Sequence, residues 1–517
     1  MTLTQAVLLA LLPLLCCFVR CALDGETISG VWLPGGLWED ELFYYKQVEG
    51  IVHYGYPQGY FGLNESHALK LSFGARSPVL VFPWVLWGMI FGWTLWSPVV
   101  CNIVLTSLVC FLFVCMVKPT WKQLCILMLL FSLYTPFTRY MLSGMAEILC
   151  FDMLILFYAL AINYLDRKKG YKLVLLFALG ALMTLMRPCL LPVLLLPSYL
   201  VTRRNGWRGA AGSAAVTGAA VGGYVCVRHY LCAEYFTSVG FADLPDTLYY
   251  TGKSFLEDMA AGVRSGLTTG TFFAGGVLIL CILAGQSILD WRRFRTLGRA
   301  SEDSVVRDAE NVAARRKLYN GLVIQIHLAI SFTVVLFALP LIYGSEEGSR
   351  YLLTFMAAGV FVIALMNTEY FVKVVLLGLS FVWLYSHMAV DPLFYELPYR
   401  QEERAEQFAG WEEVFDISLE LERESGVPNY DNSVIWVFQD ETSDGSLEFT
   451  SWQFLYALPK GFGISCCTRE YIVENFDGLE SRYIATLSGG RIDGMCMDAG
   501  YREIGRDKDL VIYRLRW

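Results

Sequence analysis

The feature that most constrains this chain is the recurrence of apolar runs long enough to cross a bilayer. A hydrocarbon core of about 30 Å needs roughly 20 apolar residues as a helix. Runs of about that length fall at 3–22, 98–117, 123–138, 147–165, 172–186, 188–202, 209–228, 271–289, 319–343, 351–367 and 371–389. Inside lipid every backbone polar group must be satisfied within the segment, so such runs fold as helices. Composition agrees. Of 517 residues 56% are hydrophobic and 17% charged, against about 25% charged in an average soluble domain. A single soluble globule and a disordered chain are both excluded. The net charge of −8 excludes the basic footprint of a nucleic-acid binder. The expectation is an all-α polytopic membrane protein of about 11 spans.

The first run, Leu8 to Val19, resembles a signal peptide but lacks a basic leader and a clear cleavage site. It reads as an uncleaved first span. Lys and Arg in short loops set orientation. Basic clusters at Lys118 and Lys122, Arg167 to Lys172, Arg203 to Arg208, Arg292 to Lys317 and Lys373 hold 18 of the 40 basic residues. All of them face the cytoplasm if the runs alternate, with the N-terminus inside and the C-terminus outside. Residues 78–96 are apolar enough to span, yet counting them would invert every later loop. They read instead as a helix lying in the outer leaflet, with Trp84, Trp87, Trp93 and Trp96 suited to an interface.

Three outside regions follow: a first loop (23–97), a second (229–270) and a tail (390–517). The tail carries 12 basic and 25 acidic residues, a net of −13. It alternates β-like runs (433–438, 510–515) with helix-like ones (401–424, 451–458), as a small α/β domain would. The chain thus divides into a transmembrane domain, 1–389, and an extracytoplasmic C-terminal domain, 390–517. The stretch Asp290–Lys317 reads as a charged surface helix without chemistry.

Most of the 15 Cys lie in apolar runs, where a small buried hydrophobe is expected. In the tail, Cys496 with Cys466 or Cys467 leaves one disulfide as an open alternative. No cysteine spacing supports zinc. The first loop concentrates polar chemistry: Asp40 and Glu41, then Tyr44, His53, Tyr60, Glu65 and His67 among aromatics and turn glycines. A carboxylate at a membrane surface, partly desolvated by aromatics, suits a general base. An acidic surface loop held by an aromatic belt is the alternative. His53 and His67 are 14 residues apart and match no metal motif. A structural role or a hydrogen bond to a sugar fits them better. Asn64-Glu65-Ser66 is a glycosylation sequon in form.

Deeper in the chain, Arg350 sits just inside a late span and demands an anionic partner or a route to the headgroups. Arg187 lies in a tight outer turn, Met186-Arg187-Pro188. Arg76 and Arg139 are similar cations near the outer face. Glu147 opens a span, where an acid favours the helix N-terminus. Asp152 lies five residues further in.

These residues together resemble the GT-C superfamily of integral-membrane glycosyltransferases. The resemblance rests on Asp40-Glu41-Leu42-Phe43-Tyr44 just after the first span, Ser77-Pro78 opening an apolar outer-leaflet segment, and Phe91-Gly92 near its end. Ser143-Gly144-Met145-Ala146-Glu147 and Gly348-Ser349-Arg350-Tyr351-Leu352-Leu353, each opening a span at the outer face, complete it. It covers roughly residues 1–390. It implies transfer of a sugar, with inversion, from a polyprenyl-phosphate carrier to a cell-envelope glycan, lipid or protein. Asp40 would be the base, with Glu41 in reserve. Arg350 and Tyr351, with Arg187 and Arg76, would contact the donor phosphate. Tyr44, His53, Tyr60, Glu65, His67 and Glu147 would line the substrates. No cofactor is required by this reading, and no residue pattern supports the divalent metal that some members use. The alternatives are an outer-face polysaccharide polymerase or ligase, whose arginines would sit in late loops, and a transporter, which would show inverted repeats; the sequence shows no repeat.

Overall fold

The computed structural model describes residues 2–23, 27–28, 39–55, 59–72, 77–134, 136–233, 268–300, 308–366, 409–411, 433–507 and 509–515. The bundle is built from α1 (Thr2–Leu23), α4 (Ser97–Val117), α5 (Trp121–Leu133), α7 (Glu147–Arg167), α8 (Gly170–Met186) and α9 (Leu195–Leu231), then α10 (Thr268–Ala300) and α11 (Asp308–Leu365). Three further helices accompany them: α2 (Glu39–Tyr54), α3 (Phe82–Phe91) and α6 (Pro136–Met141). Five runs are long and apolar enough to cross a membrane by length and composition: Thr2–Ala22, Ser97–Val117, Glu147–Arg167, Pro188–Leu231 and Asn311–Leu336.

Two of the long helices are hairpins. In α9, Gly206 adopts φ 60°, ψ −141°, outside helical space. A Cβ on Gly209 would stand 2.5 Å from the Val201 carbonyl, an approach that a straight helix does not make and only glycine allows. In α11, the rings of Phe332 and Phe355 stack 6.1 Å apart. A straight helix would separate them by about 35 Å, so the helical backbone folds back between them. This matches the expected pair 319–343 and 351–367. The run 371–389 lies outside the described residues.

Side-chain bonds fix which helix ends share a side. Gln5 Nε2 donates to the Pro119 carbonyl (3.1 Å), so the start of α1 meets the end of α4. Asn163 Nδ2 reaches the Met116 carbonyl (2.6 Å), and Gln123 Nε2 the Leu365 carbonyl (2.7 Å). This basic end closes α4 and α7 with Lys118 (φ 55°) and Lys168 (φ 45°), cations placed where the helix dipole is negative. Thr120 and Gln123 form a capping box that starts α5 there. At the opposite end lie Ser97, Glu147, Arg187 and Leu353, whose carbonyl accepts from Tyr134 Oη (2.9 Å). Midway, His327 Nδ1 lies 3.1 Å from Tyr158 Oη, and Ser331 joins it to the Pro192 carbonyl, locking α7, α11 and the 3₁₀ turn Pro188–Leu194. The Asp290–Lys317 stretch is split between the end of α10 and the start of α11.

The segment 78–96 holds only ten helical residues, about 15 Å, half a hydrocarbon core. Its lipid-type face is Phe82, Leu86, Met89, Ile90 and Phe91, all exposed. Two of the four tryptophans depart from the interface expectation, while Trp87 and Trp96 are half-buried. Trp84 and Trp93 are buried, their indole N–H groups donating to Asn102 Oδ1 (2.8 Å) and to the Tyr45 carbonyl (3.1 Å). A buried indole N–H needs such an acceptor, and α4 and α2 supply one each.

The tail forms a six-stranded sheet in the order β1-β5-β2-β6-β8-β7. Its strands are β1 (Phe61–Leu63), β2 (Ser433–Val437), β5 (Gly463–Cys467), β6 (Tyr483–Thr486), β7 (Arg502–Asp507) and β8 (Leu510–Arg514); β3 (Gln439–Glu441) and β4 (Leu447–Phe449) make a separate hairpin. The first four are parallel, and β8 and β7 close the far edge antiparallel. Period-two alternation sorts the two faces. Val434, Trp436, Ile464, Cys466, Ala485 and Ile512 join the core shared with the bundle. Ile435, Val437, Cys467, Ile484 and Val511 pack with Ile472 of α12 (Arg469–Asn475) and Ile492 of α13 (Arg491–Asp498). The sheet crosses the division at 389/390, because β1 comes from the first loop. No disulfide joins Cys466, Cys467 or Cys496 among the described residues. The helix-like run 451–458 is a 3₁₀ turn, Gln453–Ala457, while 401–424 lies almost wholly outside the described residues.

Candidate functional site at the loop end of the bundle

Helix α2 carries the first-loop acids in its first turn, where the helix dipole favours carboxylates. Asp40 is half-buried and Glu41 fully buried. One turn on, buried Tyr44 accepts a hydrogen bond from Arg187 Nη2 (3.2 Å). The same nitrogen donates to Glu147 Oε1 (2.8 Å). Arg187 is 5% exposed and Glu147 1%, so this ion pair is sheltered from solvent. Three elements meet in it: α2, the N-terminus of α7, and the extended turn at Arg187 (φ −148°, ψ 128°) that ends α8. Residues four apart on a helix have Cβ atoms about 5–6 Å apart. Asp40 therefore stands one turn before Tyr44 on the same face of α2.

The supporting shell is aromatic and amide. Tyr44 lies edge-on to Trp84, centroids 6.4 Å apart. Trp84 donates to Asn102, whose Nδ2 donates to the Ser143 carbonyl (2.9 Å) and so fixes the turn that leads into Glu147. On its other flank Phe43 meets Phe61 of β1 (5.4 Å) and Trp436 of β2 (6.2 Å), which seats α2 against the sheet. Lys46 Nζ donates to Glu49 (2.8 Å) and to the Leu458 carbonyl (3.1 Å). Burial, reinforced by Glu49, pushes the Tyr45 phenol well up.

The remaining candidates are dispersed. His53 is exposed at the far end of α2, about 20 Å along the helix from Asp40. Its ring lies against Tyr54 (4.5 Å), which in turn meets Tyr60 (5.0 Å). Glu65 sits where its carbonyl accepts from Ser465 Oγ (2.8 Å), and His67 Nδ1 lies 3.2 Å from Glu480. Asn64, at φ 54°, caps Thr468 N–H through its side-chain oxygen (2.8 Å). These residues tie the first loop to the tail. Arg350 and Tyr351 lie on the helical run of α11, three and two residues before Leu353 at the loop end; their side chains lie outside the described residues, as does all of Arg76. No group of three or more His, Cys, Asp or Glu suited to a metal occurs among the described residues.

Sequence reasoning passed over Asn102. A lone asparagine in an apolar span is costly enough in lipid to mark a contact, and that signal was available. Asp152 is buried and accepts from Thr106 Oγ1 (3.1 Å).

Three solved structures are similar to this chain at low identity. The apo oligosaccharyltransferase of Archaeoglobus fulgidus is 11% identical, with a TM-score of 0.47, over 94% of this chain and 69% of that one. AglB of the same organism, in complex with an inhibitory peptide and a dolichol-phosphate, is 13% identical, with the same TM-score and coverage. ArnT from Cupriavidus metallidurans, bound to undecaprenyl phosphate, is 11% identical with a TM-score of 0.47, over 98% of this chain and 97% of that one. No family model and no curated protein matches the chain.

Proposed function

We propose that this protein is a GT-C-type membrane glycosyltransferase that moves a sugar from a polyprenyl-phosphate carrier to a cell-envelope acceptor. The carrying observation is the buried Arg187, held by Glu147 and Tyr44 one helical turn from Asp40. It supports a reading in which a cation and a candidate base act together at the loop end of the bundle. The chemistry needs both. Asp40 takes the proton of the acceptor hydroxyl as its oxygen bonds to the anomeric carbon. The bond from that carbon to the carrier phosphate breaks, and the phosphate leaves with the electron pair. A guanidinium stabilises that developing charge in a low-dielectric site. Arg187 fills this role, and Arg350 is the second candidate by its place at the same end. Attack opposite the leaving phosphate inverts the anomeric centre.

The test is to incubate the purified full-length protein with a panel of polyprenyl-phosphate sugars and crude envelope acceptors. Release of carrier phosphate, with an inverted anomeric centre in the product, is expected from at least one donor. Absence of release from every donor, in protein shown to be folded, would overturn the reading.

A further inference from the structure

At the basic end of the bundle, far from Asp40, two arginines are held on one pair of neighbouring, mutually tilted rings. The Arg203 guanidinium lies 4.5 Å over the Tyr319 ring, and the Arg315 guanidinium 4.5 Å over the Phe294 ring. The two rings touch, centroids 6.2 Å apart. Tyr319 is fixed in turn by Tyr199 (2.7 Å between hydroxyls) and by a hydrogen bond from Arg203. Three helices, α9, α10 and α11, thus converge on two cations with ordered side chains.

Neither arginine has a carboxylate partner among the described residues. Two carboxylates whose side chains are described nearby are used elsewhere: Asp166 accepts from Asn320 (3.3 Å), and Asp290 from Gln286 (2.7 Å) and Gln325 (3.1 Å). Both guanidiniums are exposed. A planar guanidinium stacked on a ring keeps its N–H fork available for phosphate. Trp207, 76% exposed, and Tyr199, 46% exposed, flank the cluster where α9 turns back. Exposed aromatics at the end of apolar legs mark headgroup depth. That depth favours an anion carried by a lipid over one free in solution.

We propose that Arg203 and Arg315, seated on Tyr319 and Phe294, form a binding site for the phosphate headgroup of an anionic phospholipid in the leaflet at the basic end. The site is separate from the transfer chemistry and stands whether or not that reading holds.

The test uses the full chain reconstituted in equimolar phosphatidylcholine and phosphatidylglycerol, then extracted gently and weighed intact with its retained lipid. Wild-type protein is expected to keep phosphatidylglycerol in preference to phosphatidylcholine. The pair Arg203→Gln and Arg315→Gln should lower that preference by roughly fivefold per arginine, about 25-fold together. The pair Lys122→Gln and Lys169→Gln removes equal charge from the same end and should leave the preference unchanged. Tyr319→Leu tests the platform with both arginines intact and should weaken retention. An unchanged preference in the arginine pair would overturn the site. So would an equal loss in the lysine pair, which would show diffuse charge alone. Displacement of the lipid by millimolar inorganic phosphate would overturn the lipid assignment in favour of a soluble anion.

Discussion

Arg187 donates from one nitrogen to Glu147 at 2.8 Å and to Tyr44 at 3.2 Å, almost wholly out of solvent. Removing one partner of a buried ion pair strands the other charge, at a cost of about 3–5 kcal/mol. Removing a neutral hydroxyl that accepts from a cation costs less, about 1.5–3 kcal/mol. Glu147→Gln should therefore lower the unfolding temperature more than Tyr44→Phe, measured in the same detergent. Equal losses would mean that the pair is not electrostatically coupled as described. At this scale the sequence exposed the chemistry but not the geometry. Asp40, Glu41, Glu147 and Arg187 stand out as charges next to apolar runs. Their meeting depends on a turn at Arg187 and on Asn102 bracing the loop before Glu147, contacts between residues 40 to 143 positions apart.

Elements differed in how plainly they could be read. Long apolar helices follow from the solvent they fold in, and β2 and β8 from their β-branched runs. Strand β1 was invisible: three residues, Phe61-Gly62-Leu63, carry no period, and their partner Ile464–Cys466 lies some 400 residues on. The tryptophans of 78–96 read as an interface belt because composition cannot tell which face of a ten-residue helix meets protein. The α2–sheet seam yields a prediction. A Cβ on Gly62 would stand 2.7 Å from Ser465 Oγ and 3.0 Å from the His67 carbonyl. Gly62→Val should unzip β1 from β5, and hydrogen exchange at residues 61–63 should rise to that of an open loop. Protection equal to wild type would contradict the pairing.

On the sheet's other side, Asp493 is desolvated, which alone would raise its pKa. Donors from Arg506 (2.8 and 3.0 Å), Tyr513 (2.5 Å) and the Gly489 N–H (2.7 Å) outweigh that and hold it below the ordinary carboxylate value. A depressed folded-state pKa gives stability that is full above the unfolded value, about 3.9, and is lost as pH falls through the folded value. Arg506→Gln should thus move acid unfolding of the tail to higher pH, followed by tryptophan fluorescence. An unmoved midpoint would remove Arg506 from the network.

For the whole molecule, charge sorting carried the argument further than hydrophobicity. It cast 78–96 as a non-spanning helix, and the ten-residue helix Phe82–Phe91 agrees. It also grouped Lys118, Lys168 and Arg203 apart from Glu147 and Arg187, and the helix ends are arranged that way. The side facing the cytoplasm rests on the positive-inside rule alone. Asp444→Cys in the tail should react with a membrane-impermeant thiol reagent on intact cells, and Lys169→Cys only after permeabilisation. The reverse pattern would invert the orientation. What the sequence could not show is that the first loop and the tail are one construction: loop residues supply an edge strand and the helix beneath the sheet, and the same helix bears Asp40.

That shared helix makes Asp40 the point on which the functional account turns. The most direct measurement compares sugar transfer by wild type and Asp40→Asn, with carrier-phosphate release as the readout and donor binding measured in parallel. A general base contributes about 10²–10⁴-fold, so Asp40→Asn should bind donor as wild type does and transfer at least about a hundredfold more slowly. Transfer at the wild-type rate by a folded Asp40→Asn protein would contradict the account.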